Sequence, residues 1–380
     1  MEEMAQLKVL HVIQSVDPLQ GGPVTALRSM STGLRSAGVT IEIATSVGTG
    51  ETEEGVHAFP RSLSFYWTAP SFHSWMKEHA RDYTVIHIHG VFSWMPTVAA
   101  HHARRAGVPY ILRTLGHLDP WSIKHGHSIL KRMSIAINEK RMLEGAAAIH
   151  VTGDEEARSV SRIARGNIVV IPLGVDVDPP APTGAFRALY PETAGSAIVL
   201  YVSRIHPKKG FDLLLPAFAR VVNELNEKPV LVVAGTGDPG YLADLRHQAS
   251  ALGLTDRIIW TGFLEGADKA AALADAKVSI LPSYAENFAL SVVEAMAAGL
   301  PVVITDQVGV HGEVERAQAG IVTRCDVGEI ASALARLLTD EPLRQALGRN
   351  AHTLAGEKYS NAAMVRSLLD LYERLSEPAT

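Results

Sequence analysis

Two carboxylates, Glu286 and Glu294, flank the start of a predicted helix in the second half of the chain. Asn287 is a residue type that caps helix N-termini well, and Gly299 and Pro301 are typical of the end of a helix. The free amides of the first turn form an anion site suited to a diphosphate. Beside such an anion, Glu286 can accept hydrogen bonds from sugar hydroxyls and Glu294 from a ribose. Either carboxylate taken alone is equally compatible with an exposed surface position.

Cationic side chains follow the first predicted strand of the same half. Arg204 and Lys209 lie in the short segment 203–210 (SRIHPKKG). They can converge on a diphosphate, because arginine offers a bidentate fork and lysine a point charge. Lys208 is expected to face solvent. A solvated, charged turn is the alternative interpretation.

Two other loops of this half carry weaker signals. Gly235 and Gly237 form a GxG pattern after the next predicted strand, which permits the backbone to approach a ligand closely but is also common in plain turns. Phe263 lies in the segment 261–264 (TGFL) after the third strand, where the backbone can read the edge of a base. Neither pattern is specific by itself.

In the first half, Gly21 and Gly22 belong to a predicted glycine turn between the first strand and the first helix. The turn leaves room for a ligand beside backbone amides, or it is simply tight. His117 and Asp119 follow the fourth predicted strand and are expected at the carboxyl edge of the sheet. A ligand contact and a structural role are both open for His117.

His87 and His89 flank Ile88 and therefore point to the same face of a strand. Metal binding is one interpretation of such a pair. Because no third ligand is evident in the sequence, we interpret them as packed core histidines.

The elements that position these residues alternate between apolar runs and amphipathic stretches, which is typical of βαβ units with parallel sheets. In the first half this predicts strands at 9–16, 41–45, 85–89, 110–114, 148–152 and 168–171, and helices at 24–36, 97–106, 128–143 and 154–163. A proline-rich stretch at 172–191 has the composition of a semi-rigid linker. Beyond it we predict strands at 198–203, 230–234, 258–261, 278–281, 301–305 and 320–323, and helices at 211–226, 241–252, 269–275, 288–298, 327–338, 343–355 and 361–375.

This pattern predicts an α/β protein of two doubly wound halves joined by a hinge. In such sheets ligands bind beyond the carboxyl ends of the strands. Two halves that face each other would leave a cleft between them, which is a usual place for a small-molecule site. The length of 380 residues agrees with two or three domains.

Composition limits the function classes. The chain is 47% hydrophobic and 20% charged, as soluble globular proteins are. The net charge of −5 gives no basic excess, so we expect no nucleic-acid partner. A single cysteine, Cys325, permits no intrachain disulfide and fits a reducing compartment. No apolar run reaches the ~20 residues that cross a bilayer, and the acidic N-terminus is unlike a signal peptide, so we expect a cytoplasmic protein.

The stretch 124–141 is basic and amphipathic. Among its isoleucines, leucine and methionine it carries Lys124, Lys131, Arg132, Lys140 and Arg141. Such a stretch can lie on an anionic membrane. A solvated helix face and peripheral contact with the inner face of a membrane both remain open.

The two carboxylates of 282–301, the cation pair of 203–210 and the order of strands resemble the group 1 (family 4) retaining glycosyltransferases of the GT-B fold. The resemblance covers nearly the whole chain. The segments 115–121 (LGHLDPW) and 147–152 (AAIHVT) are similar to those of members that build bacterial polysaccharides.

The resemblance implies a hexosyltransferase that moves a sugar from a nucleotide-sugar donor to a hydroxyl of a carbohydrate or lipid-linked acceptor. Glu286 would bind the transferred sugar and Glu294 the ribose. Arg204 and Lys209 would neutralise the diphosphate. His117 would contact the donor sugar or assist catalysis.

The resemblance also implies how the chain is divided and what else binds the donor. Residues 1–172 would bind the acceptor, 173–357 the nucleotide sugar, and 358–380 would return to the N-terminal domain. Backbone amides at 288–290 would hold the phosphate oxygens. The full predicted donor-binding set is Gly21, Gly22, Gly235, Gly237, Phe263, Asn287, Phe288, Ala289, Leu290 and Glu294. Many relatives carry glycine where this chain has Ala289, whose methyl group would crowd the sugar or the phosphate.

Asp176 and Asp178 resemble the metal-binding aspartate pair of other glycosyltransferases. They lie in the predicted hinge rather than beside the donor residues, so we predict no metal and no other cofactor. No residue stands out as a covalent nucleophile, which favours attack from the face that the leaving group departs from. The alternatives are a nucleotide-sugar epimerase of similar architecture and a sugar-binding protein without catalysis.

Overall fold

Two parallel β-sheets, one in each half, organise the chain. The computed structural model describes residues 7–17, 22–46, 54–61, 68–124, 128–177 and 181–377. The chain divides into an N-terminal unit, Met1–Gly174 with Asn361–Thr380, and a C-terminal unit, Val175–Ser360. Each unit combines one sheet with helices between its strands, so the predicted α/β, doubly wound architecture is confirmed.

The N-terminal sheet has seven strands in the order β3-β2-β1-β4-β5-β6-β7, and the neighbours pair in parallel. Its strands are β1 (Lys8–Ile13), β2 (Thr40–Thr45), β3 (Val56–Ala58), β4 (Val85–His89), β5 (Tyr110–Arg113), β6 (Ala148–Val151) and β7 (Ile168–Val170). The chain order reverses between β1 and β4, as in a Rossmann sheet. The short β3 was not predicted, because three half-exposed residues give no usable alternation.

The helices of this unit in the first half of the chain are α1 (Gly22–Ser36), α2 (Pro70–His79), α3 (Trp94–Ala106), α4 (Pro120–Lys124), α5 (Ser128–Ser134), α6 (Lys140–Glu144) and α7 (Asp154–Ser161). A 3₁₀ turn, Ala80–Asp82, follows α2. The predicted helix at 128–143 is present, but one π-helical turn, Ile135–Glu139, separates α5 from α6.

The C-terminal sheet has six strands in the order β10-β9-β8-β11-β12-β13, again with parallel neighbours. Its strands are β8 (Ile198–Val202), β9 (Val230–Ala234), β10 (Ile258–Gly262), β11 (Val278–Leu281), β12 (Val302–Thr305) and β13 (Gly320–Thr323). The central strands are almost continuously apolar, since helices cover a parallel sheet on both faces. Here the chain order reverses between β8 and β11.

The helices of the C-terminal unit are α8 (Ala185–Leu189), α9 (Phe211–Glu224), α10 (Pro239–Ala251), α11 (Gly266–Asp275), α12 (Leu290–Ala297), α13 (His311–Arg316), α14 (Val327–Thr339) and α15 (Glu341–Lys358). Three 3₁₀ turns, Pro191–Thr193, Pro207–Lys209 and Thr255–Arg257, complete the set described.

The interpretation of 172–191 as an extended linker is wrong for its second half, which forms α8 and the following 3₁₀ turn. The carboxylate of Asp275, at the end of α11, accepts hydrogen bonds from the backbone N–H groups of Gly184 and Arg187. These bonds cap the start of α8. A buried acid on a distant helix therefore folds a segment whose own composition favours extension.

The last helix, α16 (Asn361–Ser376), belongs to the N-terminal unit. It packs on α1 at a position without a side chain: a Cβ atom on Gly33 would lie only 2.5 Å from Cγ2 of Val365. The hydroxyl of Ser29 donates to the side-chain carbonyl of Asn361 at 2.6 Å and fixes the start of α16.

We expect Gly33→Leu to lower the free energy of unfolding by about 1–3 kcal/mol, because the added side chain overpacks the contact with Val365. Urea denaturation followed by circular dichroism measures the change. Thr32→Leu, at the adjacent exposed position of the same helix, is the control and should stay within about 0.5 kcal/mol of the wild type. Equal stability of the two variants would contradict the close packing of α1 on α16.

Candidate active site

Loops that follow neighbouring strands meet at the carboxyl edge of the C-terminal sheet. The loops after β8 and β11 lie where the chain order reverses, which is the usual ligand position in such sheets. The N–H of Tyr284 donates to the carbonyl of Lys208 at 2.9 Å and joins these two loops. A bridge between Ile205 and Gly237 joins the loop after β9 to the loop after β8. The structure thus brings together segments that are far apart in the sequence.

Gly235 and Gly237 are required by this packing of backbone on backbone. A Cβ atom on Gly235 would lie 1.9 Å from the carbonyl oxygen of Ser203, and one on Gly237 would lie 2.1 Å from that of Ile205. The two glycines therefore allow the loops to pack against each other. This agrees with the interpretation of Gly235 and Gly237 as structural turn residues. Their approach to a donor stays a prediction.

Lys209 and Glu286 form an ion pair between the loops after β8 and β11. Their side chains are only 10% and 16% exposed. Burial lowers the pKa of Lys209, and the neighbouring negative charge of Glu286 opposes that shift. Because a buried charge without its partner is strongly unfavourable, each side chain depends on the other for its position.

The backbone of Glu286 is held by the loop after β12. Its N–H donates to the carbonyl of Gln307 at 3.0 Å, and its carbonyl accepts from the N–H of Gly309 at 2.8 Å. Gly309 also has no room for a side chain, since a Cβ atom there would lie 1.8 Å from the carbonyl oxygen of Asn287. The sequence analysis missed this contact, because nothing in the loop after β12 marks it as a neighbour of Glu286.

The helix behind this loop does not begin as predicted. The N-cap of α12 is Ala289 rather than Asn287, and no side chain caps the helix. Ala289 has a φ of 60°, in the left-handed region that favours glycine. The N–H of Val292 already donates to the carbonyl of Ala289 at 2.9 Å. The amides available to an anion are therefore those immediately around Leu290.

Glu294 lies on α12 and pairs with Lys269 of α11 at 2.8 Å between Oε1 and Nζ. The two side chains are 22% and 29% exposed. Glu294 is therefore a half-buried, paired carboxylate rather than the exposed helical residue of the alternative interpretation. The contact with a ribose stays a prediction.

The remaining predicted residues of this edge differ in exposure. Arg204 is exposed just beyond β8, and its backbone carbonyl accepts from the hydroxyl of Tyr201 at 3.0 Å. Phe263 is 68% exposed after β10. Phe288 is buried edge-on against the ring of Tyr359, with 5.6 Å between ring centroids. Only the backbone of Phe288 is thus free to serve a ligand.

Comparison with known proteins identifies the family. The model of group 1 glycosyl transferases matches residues 185–354, and that of the glycosyl transferase 4-like domain matches residues 21–174. A D-inositol 3-phosphate glycosyltransferase of Saccharomonospora viridis is 30% identical over 308 residues, which cover 76% of this chain and 70% of that protein. The chain belongs to the group 1 glycosyltransferases.

Two further relatives of this glycosyltransferase extend over almost all of its length. The D-inositol 3-phosphate glycosyltransferase 2 of Catenulispora acidiphila is 28% identical over 400 residues, which cover 94% of this chain and 91% of that protein. The crystal structure of Anabaena HepE in complex with UDP and glucose has a TM-score of 0.79 and 20% identity, and covers 97% of this chain and all of that one. The architecture of this glycosyltransferase is the GT-B fold.

In the N-terminal unit of the glycosyltransferase, His117 is exposed in the loop after β5. Its backbone N–H donates to the carbonyl of Thr114 at 3.1 Å, and its Cε1 would lie 3.9 Å from a Cβ atom on Gly90. Gly22 is the first residue of α1 and has open space at its Cβ position. Gly21 lies outside the described residues.

Glu156 of α7 fixes the loop that carries His117, and the sequence analysis did not find it. Its buried carboxylate accepts hydrogen bonds from the hydroxyl of Thr114 and the N–H of Gly116, both at 2.6 Å. It also accepts from the N–H and the hydroxyl of Thr152, at 2.8 and 2.9 Å. The sequence offered one signal that Glu156 faces inward. It lies four residues before the apolar Val160, and residues with this spacing share one face of a helix.

Ala289→Gly should stabilise this glycosyltransferase by about 0.5–1 kcal/mol, because glycine removes the cost of a left-handed conformation and only part of that gain is lost to the unfolded chain. Urea denaturation measures the difference. The matched control is Ala243→Gly in the exposed face of α10, where the same change should destabilise by about 1 kcal/mol. A loss of stability of similar size at both positions would show that Ala289 is not in the left-handed region.

Proposed function

We propose that this glycosyltransferase transfers a hexose-type sugar from a nucleotide-sugar donor to an acceptor hydroxyl, with retention of configuration and without a metal in the transfer step. The observation that carries the proposal is the buried Lys209–Glu286 pair directly before the N-terminus of α12. The pair combines a cation for a diphosphate with a carboxylate for sugar hydroxyls. The UDP and glucose named in the HepE complex support this class of donor.

The charges at this edge explain how a diphosphate would be bound. Lys209 and Glu286 neutralise each other, and so do Lys269 and Glu294. Arg204 is exposed, and its charge contributes, after burial and the charge of Lys208, to the lowered pKa of Lys209. Arg204 and the amides at the start of α12 therefore add net attraction for a diphosphate to the local contact that the ammonium group of Lys209 can make.

The two carboxylates give the donor its direction. Glu286 precedes α12, whereas Glu294 lies about 6 Å along the helix from Leu290. A donor laid along this edge would place its sugar at Glu286, its diphosphate at the helix start and its ribose at Glu294. The base would then reach the loops of Gly235 and Phe263.

The chemical step breaks the bond between the anomeric carbon and the phosphate oxygen and forms one to the acceptor oxygen. In the same-face route the acceptor proton passes to the departing phosphate oxygen. Negative charge develops on the diphosphate, and Arg204 and Lys209 stabilise it as pre-positioned cations. A contact of His117 with the sugar stays a prediction.

Arg204→Ala should weaken binding of a nucleoside diphosphate by about 10-fold or more, because one charge-assisted hydrogen-bonding group is lost. Thermal-shift titration with a panel of nucleoside diphosphates and nucleotide sugars identifies the donor and measures the loss. The control is Lys277→Ala, which removes the same charge at the amino end of β11. Full turnover by Arg204→Ala would contradict the charge assignment.

Product analysis with and without an acceptor distinguishes transfer from epimerisation and from binding alone.

We further propose that the acceptor is lipid-linked and that residues 124–141 contact an anionic membrane. Four of the nine large apolar side chains exposed in the described part of the chain fall here, namely Ile129 (74%), Leu130 (50%), Met133 (54%) and Ile137 (74%). No helix in the described ranges is both long and apolar enough to span a bilayer. This patch therefore fits surface contact.

The exposed surface of 124–141 is basic because the acidic residue within it, Glu139, points into the protein. Arg132, Lys140 and Arg141 are exposed, whereas Glu139 is fully buried. Oε1 of Glu139 accepts from the N–H of Phe92 at 3.2 Å, and burial raises the pKa of Glu139. The π-helical turn thus anchors the patch on the loop after β4 while its cations face outward.

The double variant Ile129→Ser/Ile137→Ser should reduce co-sedimentation with anionic vesicles at low salt at least several-fold, because two exposed apolar anchors are lost. Leu189→Ser, at a 57% exposed leucine of α8, is the control and should bind as the wild type does. Failure of the wild-type protein to bind such vesicles would end the membrane proposal and leave the donor site untouched.

A further inference from the structure

A layer of polar side chains interrupts the apolar face of the N-terminal sheet that α1 and α16 cover. The strand register places His11 opposite His87, and Arg113 between His89 and His150. All five side chains are buried. The neighbouring positions on this face, such as those in β2 and β7, are apolar. The layer sits at the reversal between β1 and β4, where no proposed step of the transfer uses it.

His11 supplies the third imidazole that the sequence did not reveal beside His87 and His89. One nitrogen from each of the three rings lies within 4.8 Å of the other two. Nδ1 of His11 is 2.8 Å from Nε2 of His89, and the ring centroids of His87 and His89 are 4.4 Å apart. His87 and His89 are buried core residues as predicted, and the structure adds a third imidazole that was not evident in the sequence.

Hydrogen bonding within the layer leaves unsatisfied groups. Nε2 of His11 and Nε of Arg113 are buried and have no partner among the described residues. Burying such a group without a hydrogen-bond partner is unfavourable. The hydrogen bonds within this layer do not satisfy all of its polar atoms, so a further partner for these atoms would stabilise it.

A fourth imidazole, that of His150, contacts His87 but lies outside the group of three rings whose nitrogens are within 4.8 Å of one another. Nε2 of His150 is 2.8 Å from the carbonyl oxygen of Ile171, and since a carbonyl only accepts, Nε2 carries the proton. Nδ1 of His150 therefore presents a lone pair, 3.2 Å from Nε2 of His87. Nδ1 of His87 forms a hydrogen bond with the hydroxyl of Tyr372 at 2.8 Å, and this bond orients the ring as hydrogen-bonded partners orient metal-binding histidines.

We propose that His11, His87 and His89 bind a divalent transition-metal ion of the Zn²⁺ class. Three imidazoles without thiolate or carboxylate suit Zn²⁺ with one further small ligand, and nitrogen ligands at 2.0–2.1 Å from a tetrahedral ion are roughly 3.3 Å apart. The close His11–His89 pair has to open by ~0.5 Å to reach that separation, which is a small side-chain adjustment. The ion is structural, because the site is enclosed.

Protonation and charge set the strength of the site. Burial disfavours the charged form of these imidazoles, which suits ligands that bind a metal as neutral rings. The charge that opposes a cation is Arg113, whose Nη1 lies 3.5 Å from Nδ1 of His89. Burial lowers the pKa of Arg113 to about 10, and the negative charge of Glu156 acts in the opposite direction.

The test is the metal content of the purified full-length chain after incubation with ZnCl₂ and desalting. We expect about one Zn²⁺ per chain by mass spectrometry, and visible absorption of tetrahedral character when Co²⁺ replaces it. His89→Gln should lower the bound metal at least fivefold. The control is His73→Gln, which breaks a second close histidine pair, His73 with His102, nearer the surface.

The wild-type measurement alone is decisive, so a variant that fails to fold does not obscure the result. Binding of less than about 0.1 Zn²⁺ per folded chain would overturn the proposal. So would full metal retention by a folded His89→Gln variant, or loss of the metal in His73→Gln instead. None of these outcomes bears on the donor site, because the readout is metal content and not sugar transfer.

Discussion

The buried ion pair of Lys209 and Glu286 constrains the carboxyl edge of the C-terminal sheet. Removing either ion from water costs several kcal/mol, so neither side chain can take its position without the other. The pair can form only if the loops after β8 and β11 touch, and these strands are neighbours because the chain order reverses between them. Gly309 and Gly235 keep the surrounding backbone close enough for that contact. The topology of the sheet therefore comes before the chemistry of the site.

The sequence predicts what depends on local pattern. Alternating apolar runs and amphipathic helices give two doubly wound sheets, and most strand positions agree within two or three residues. The clusters 203–210 and 282–301 come together as predicted, because parallel strands end at one edge. The spacing in the sequence is enough to predict this proximity, because the position of a residue just after a buried strand is determined by the position of that strand.

What the sequence does not predict depends on contacts between distant segments. Asn287 has the chemistry of an N-cap, yet the helix starts three residues later, after a left-handed Ala289. The segment around α8 has linker composition and is folded by Asp275. His11 completes a group of imidazoles only once β1 and β4 are paired. In each case a partner far along the chain overrides a correct local preference.

The two sheets place polar residues at the same topological point, the reversal of strand order, but at different depths. In the C-terminal sheet Arg204 and Glu286 lie beyond the ends of β8 and β11, where a ligand can arrive and leave. In the N-terminal sheet His11 and His87 lie within β1 and β4, under α1 and α16, where exchange requires the helices to separate. A site beyond the strand ends therefore suits a substrate that exchanges with solvent, and a site within the strands suits a permanently bound ion. The same fold can thus hold a substrate at one sheet and a structural ion at the other without conflict between the two.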